Sequence, residues 1–522
     1  MTFALSQEPA TLDPLYASQS AASYVYRTVI EGLLSPGADG NFEGRLALDV
    51  PTLQNAGVTV SADGARMDVT YKLRSGVVWA DGQPFTSSDV VFTWGQIMHD
   101  PKVNSRQGYD RIDTIEAPDD TTVVMHYREI YAPYATLFPY ILPKHLLDGV
   151  ADISRTDFDR KPIGTGPFTV AEFVSGDHIT VQRNPSYRVK GRPLLDRIVF
   201  TIIPSRETAI LRLKAGEIDG VWNLTEAQIP DLEKDPSITL ALVANSTSEK
   251  LYFNLSKRGN PADPNVPHPV LSDLAVRRAL NLATPKHDII DKLLDGKAQV
   301  PGSYISLGWA TPKDLQQESY DPAAAKVILD RAGWVPGPDG IRAKGGVQAK
   351  LEINTTTGDQ LREQVEQVLV DAYRAVGVEL TIKNYPSSVL FGSWAEGAPH
   401  KRGDFDIYML TNGVALDPHT GVASTFTCDS IPRASNNGAG SNFFRFCDPA
   451  VDKLLDAAAR TPDQETRSRL YHDAMKIVND DVVGVWLYSR LDIDAFRTNV
   501  GGFSANAWAG SVRSVADWYV RR

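Results

Sequence analysis

The segment KPIGTGPFTVAEFVSGDHITVQRNPSYR (residues 161–188), with LKAGEIDGVWN (213–223) further on, decides the fold class. Gly164, Thr165, Gly166 and Pro167 form a turn that ordinary residues fit poorly, because glycine tolerates positive φ and proline fixes φ near −65°. Phe168–Phe173 and Ile179–Arg183 read as short strands around Ser175-Gly176-Asp177, a hairpin signal. Asn184-Pro185 breaks the second strand. Arg197–Ile203 is a third strand. A helix follows from about Glu207 to Ala215, with Ser205 as N-cap and Gly216 just past its end. Ile218–Val221 returns to strand. The pattern is mixed α/β.

The chain around it has 522 residues, too many for one core, since cores stop growing at roughly 250–300 residues. Two or three lobes are expected. A net charge of −11 argues against nucleic acid or an anionic membrane as partner and accounts for solubility. No apolar run approaches the roughly 20 residues of a membrane helix. No basic stretch followed by an apolar one opens the chain, so the numbered sequence is read as lacking an export signal.

Upstream, Asp13-Pro14 is a turn, and a helix is expected from about Ser20 to Leu34. Residues 67–79 alternate apolar and polar side chains like a strand. Thr86 or Ser87 then caps a helix with Asp89 in its first turn. Strands at 112–116 and 122–127 flank Pro118-Asp-Asp120. Downstream, Lys250–Asn254 is a short strand, and a polar, proline-rich loop, RGNPADPNVPHP (258–269), leads to a helix capped by Ser272. Thr284-Pro285 and Asp321-Pro322 start further helices. Residues 349–383 read as one right-handed βαβ unit. Asp404–Leu410 is a strand broken by Asn412-Gly413. Helices begin at Pro449 and Pro462, and Val485–Tyr488 is a strand.

GTGPF, a polar turn, RNPSY and a helix ending in LKAGEIDG together resemble the solute-binding proteins of ABC importers of the dipeptide, oligopeptide and nickel class, extracellular solute-binding family 5. LRSGVVWADGQPFTSSDVVFTW (73–94) and SDLAVRRALNLATPKHDII (272–290) are further matches, and the resemblance covers nearly the whole chain. It implies an α/β, two-lobed periplasmic-binding-protein fold. The first lobe would be 1–250 plus 486–522, with an inserted subdomain at about 40–165, and the second lobe 251–485. It also implies a monomer that captures a peptide or peptide-like solute in an interlobe cleft and hands it to a membrane permease. Such a protein is periplasmic or lipid-anchored at the cell surface.

By the same resemblance, Ser18, Gln19 and Ser20 point at the ligand; otherwise they are helix-capping polar residues. Arg106 is either a solvated charge or a contact to an anionic ligand, and Tyr140 either faces the cleft or packs in the core. The second lobe's contribution is expected from TNGVALDPH (411–419): Thr411, Asn412, Gly413, Asp417 and His419. Here the chain departs from its peptide-binding relatives, which carry a tryptophan at the position of Thr411 and an aspartate at that of Val414. That aspartate pairs with a peptide's α-amino group. A buried ammonium without a partner costs several kcal/mol, so recognition of a peptide amino terminus at this place is in doubt. Asp417 either substitutes or caps the turn. His419 is a lone histidine, a poor metal site that would contact only a pre-formed chelate.

Arg106, the serines and Asn412 also suit a sugar-phosphate or opine-like conjugate. No metal and no cofactor are expected. Cys428 and Cys447 enclose IPRASNNGAGSNFFRF, a polar, glycine-rich run suited to a disulfide staple; the alternative is two buried thiols. A hydrolase is the competing class. GxSxG, HExxH, CxxC and the phosphate-loop pattern are all missing from the sequence, so no catalytic residue is assigned.

Overall fold

The computed structural model describes residues 1–260 and 263–521; Pro261 and Ala262, inside the expected proline-rich loop, and Arg522 lie outside the described residues. The chain divides into two units. The first comprises Met1–Asn245, Ala459–Asp463 and Leu491–Arg522, and the second Ser246–Ala458 and Gln464–Arg490. Two long strands, Ile238–Phe253 and Gly484–Arg497, run from one unit into the other.

In the first unit Phe168–Val174 and His178–Arg183 form the expected antiparallel hairpin. Arg197–Ile202 pairs with the hairpin, and Thr2–Leu5 lies parallel to both Arg197–Ile202 and Gly220–Val221. Gly220 and Val221 pair in turn with Phe496 and Ala495. The helix Arg206–Ala215 starts where Ser205 accepts the Thr208 N–H and ends at Gly216, whose φ of 78° needs glycine. A second, four-stranded sheet orders Val58–Val60, Met67–Lys72, Thr122–Tyr127 and Ile112–Asp119. Beside it runs the helix Ser87–His99, opened by a Thr86–Asp89 capping box.

The Gly-Thr-Gly-Pro segment corrects its own rationale. Neither Gly164 nor Gly166 has positive φ. Their need is space: a Cβ on Gly164 would lie 1.9 Å from the Val29 carbonyl oxygen, and one on Gly166 2.5 Å from it. The Gly166 N–H donates to that carbonyl at 2.8 Å, and Phe168 N–H to the Thr28 carbonyl at 3.0 Å. These bonds also explain a shorter helix than expected. It spans Ser20–Tyr26 only, because the carbonyls after it serve residues 166 and 168 instead of a further turn. The Thr165 hydroxyl and Arg188 both reach buried Glu31 and tie the same segments together.

In the second unit Lys350–Asn354 pairs in parallel with Glu379–Ile382 across the helix Gln360–Ala375, as the βαβ pattern predicts. Ile407–Gly413 lies beside Lys350–Asn354 and antiparallel to residues 247–253. Side chains alternate across this sheet. Leu251, Phe253, Ile407 and Met409 enter one core with the helices Leu274–Ala283, Pro322–Arg331 and Gln360–Ala375. Tyr252 and Tyr408 enter another with His419–Phe426, Pro449–Ala459 and Gln464–Asp480. Two expectations change here. Asp273, not Ser272, caps the helix, accepting the Ala275 N–H. Asn412-Gly413 does not break the strand, because pairing with Ser248 and Thr247 carries it through both residues. Cys428 and Cys447 are joined by a disulfide, with Cα atoms 4.6 Å apart.

Candidate ligand-binding site

Three elements of the first unit converge on a cavity of about 310 Å³. The helix Ser20–Tyr26 presents Ser20 and, one turn on, Tyr24. The chain leaving Gly220–Val221 supplies Trp222. The strand Gly484–Arg497 supplies Asp492 and Asp494, two residues apart and so on one face, while Ile493 between them packs into a core. Trp508 adds a further wall from the C-terminal loop. The rings of Tyr24 and Trp222 lie 5.4 Å apart at a tilt.

The electrostatics of this cavity are acidic. Asp494 is buried and accepts from the Tyr24 hydroxyl at 3.2 Å, the Ser511 hydroxyl at 2.5 Å and the Asn223 N–H at 3.2 Å. Burial dominates those bonds and pushes its carboxyl up to about 6. Asp492 accepts one bond, from the Asn245 amide at 2.6 Å; burial raises it as well, helped by the Glu226 carboxylate. Arg27 also lines the cavity and donates to the Trp508 carbonyl at 3.0 Å.

Of the residues expected from sequence, Ser20 alone lines this cavity. Ser18 is exposed, and Gln19 accepts the Ala10 N–H at 2.6 Å. Arg106 donates to the carbonyls of Met98 and Asp100, so its guanidinium closes the end of the helix Ser87–His99. Tyr140 packs against the first unit's core.

In the second unit the Thr411 hydroxyl donates to Glu249 at 2.5 Å and accepts from Arg362 at 3.0 Å. Glu249 is fully buried and pairs with Arg362 at 3.1 Å and Arg490 at 3.6 Å. The Asn412 carbonyl accepts from the buried Lys250 ammonium. Gly413 stands on the strand, where a Cβ would meet the Ser246 carbonyl oxygen at 2.4 Å. Both oxygens of Asp417 are held by Arg467. His419 opens a helix, its ring 6.4 Å from that of Tyr471, and burial lowers its basicity. Among the described residues no group of three or more His, Cys, Asp or Glu side chains is placed to hold a metal.

Tyr24, Trp222, Asp492, Asp494 and Trp508 were not legible as a site. The one signal was Asp492-Ile-Asp494, two acids in a strand otherwise apolar up to Tyr488.

Residues 42–432 match the family described as bacterial extracellular solute-binding proteins, family 5 Middle. The chain belongs to this family. Family-5 members serve as substrate-binding components of ABC importers and act outside the cytoplasm. Among this family-5 protein's relatives is Protein XP55 of Streptomyces lividans, 29% identical over 468 residues, covering 86% of this chain and 79% of the relative. Another is the oligopeptide-binding protein AppA of Bacillus subtilis, 26% identical over 509 residues, covering 95% and 87%. Among solved structures, NikZ of Campylobacter jejuni in complex with Ni(L-His) shares the two-lobed fold at 24% identity. It superposes with a TM-score of 0.75, covering 99% of each chain. Among the described residues no helix is long and apolar enough to cross a membrane.

Proposed function

We propose that this chain captures a peptide or peptide-like solute outside the cytoplasm and delivers it, as a monomer, to the permease of an ABC importer. The observation that carries the reading is the family match over residues 42–432 joined to a polar, aromatic-walled cavity in the first unit. Such a cavity suits a solute with both charged and apolar parts. The oligopeptide-binding relative from Bacillus subtilis supports the peptide class. The two units are read as the family's two lobes, the first enlarged by the subdomain at about 40–165. The Cys428–Cys447 disulfide suits an oxidising compartment, either the periplasm or a lipid-anchored position at the cell surface. The protein works by binding, without catalysis. A ligand drives a change of state only through its differential affinity for that state.

Val414 favours a second reading. Where peptide-binding relatives carry a carboxylate, this chain buries a valine in an apolar core. A metal chelate or a sugar-phosphate or opine-like conjugate needs no acid there, and NikZ was solved with such a chelate. Mass spectrometry of whatever leaves the purified protein on denaturation separates the two. A ladder of short peptides is the expected result. A single conjugate or chelate overturns the peptide reading.

A further inference from the structure

Asp492 and Asp494 have no cationic partner among the described residues: amide, hydroxyl and backbone N–H donors are all they accept from. Glu226, which accepts the Leu491 N–H, acts on Asp492 from outside the cavity lining. Acids drawn together away from water repel one another, and a cation entering among them relieves both the repulsion and the desolvation cost. The walls have matching chemistry. Tyr24, Trp222 and Trp508 line the cavity, and aromatic rings attract ammonium groups. The indole Nε1 of Trp508 is buried without a hydrogen-bond partner, so the side chain offers the cavity its ring and not its N–H. The second unit offers no such carboxylate from its loop, since position 414 is valine and Asp417 is held by Arg467.

We propose that this cavity of the first unit binds a protonated primary amine, the group found at the amino terminus of a peptide and in an amino-acid amide. Asp492 takes the ammonium, with Asp494 deepening the negative field behind it. The aromatic rings enclose the adjoining carbons. The assignment rests on the peptide-capture reading and names the group that reading left without a partner. It gives the carboxylate missing at position 414 a replacement elsewhere in the chain.

The test uses L-leucinamide and N-acetyl-L-leucinamide as probes of the full chain, read by titration calorimetry and tryptophan fluorescence. A pool of free and N-acetylated tripeptides, read by native mass spectrometry, runs in parallel. The proposal expects L-leucinamide to bind at least tenfold tighter than its acetylated form, and Asp492→Asn to erase that preference without lowering the melting temperature. Trp508→Phe should weaken L-leucinamide binding several-fold and serves if Asp492→Asn does not fold. Peptides bound with no preference for a free amine, or a preference untouched by both variants, overturn this assignment and leave peptide capture standing. L-leucinamide bound with the stated preference while no peptide is retained sustains the amine site and overturns peptide capture. Binding of neither probe set overturns both.

Discussion

Arg467 grips Asp417 with both terminal nitrogens, at 2.6 and 2.9 Å, and both side chains are buried. The guanidinium also stacks over Trp309 and Tyr471, 5.1 and 5.6 Å from their ring centres. Asp417 has a further duty, accepting the His419 N–H at the start of a helix. Removing one partner of such a pair strands the other charge, which costs about 3–5 kcal/mol, whereas replacing both with apolar groups is often near neutral. Asp417→Ala should therefore lower stability by about that amount in chemical denaturation. Asp417→Leu combined with Arg467→Met should recover most of the loss. Equal losses in the single and double variants would show that the pair is not the source.

Two glycines should respond to alanine in opposite directions. At Gly164 the new Cβ would sit 1.9 Å from the Val29 carbonyl oxygen, a backbone atom tied to the Gly166 N–H. Overpacking of this kind costs about 1–3 kcal/mol or more. Gly95 lies inside the helix Ser87–His99 with nothing within 4 Å of a built Cβ. There alanine should stabilise by up to about 1 kcal/mol through helix propensity and a less flexible unfolded chain. Denaturant midpoints of Gly164→Ala and Gly95→Ala check both signs.

Asp13 should make stability depend on pH. It is fully buried; one oxygen accepts the Leu15 N–H at 2.9 Å and the other has no partner. Burial, with the Asp159 and Asp100 carboxylates, pushes its carboxyl up to about 7. The folded state therefore holds a proton that the unfolded state gives up near the ordinary carboxylate range. The stabilisation is complete below that range and is lost as pH rises through about 7. At pH near 8 the cost is on the order of 4 kcal/mol at most, at about 1.4 kcal/mol per unit. Asp13→Asn should remove this slope, so that its melting temperature gains on the parent as pH rises from about 4 to 8. Parallel curves would overturn the assignment.

Opening the Cys428–Cys447 bridge should destabilise the second unit. The two cysteines are 19 residues apart in sequence, and closing a loop of that size removes enough unfolded-chain entropy to be worth about 3 kcal/mol. Replacing both cysteines by serine, or reducing the protein, should lower the unfolding midpoint accordingly. An unchanged midpoint would mean that loop closure contributes nothing.

Most of the fold was legible because it is written in local chemistry. The hairpin around Gly176, the Ser205 cap, the helix starts near Thr86 and at Asp321-Pro322, and the βαβ unit at 350–382 all depend on neighbours within a few residues. Two of the misreadings share one cause. The helix after Ser20 stops at Tyr26, and the strand after Ile407 runs on through Gly413, because distant backbone competes for their carbonyl and N–H groups.

The ligand site was far less legible. Polar residues at turns, such as Arg106 and Asp417, looked available but spend their hydrogen bonds on the fold. Asp492 and Asp494 lie beyond the strand read at Val485–Tyr488 and belong to no motif.

Residue order alone determined the α/β class, the family and the cysteine pair as a candidate staple, since these follow from local turn chemistry, periodicity and motif spacing. Only the tertiary structure decided which polar side chains are committed and which are left over. A carboxylate's state depends on burial and on partners up to 470 positions away, as for Asp494 and Tyr24, and that distance in sequence is closed by folding alone.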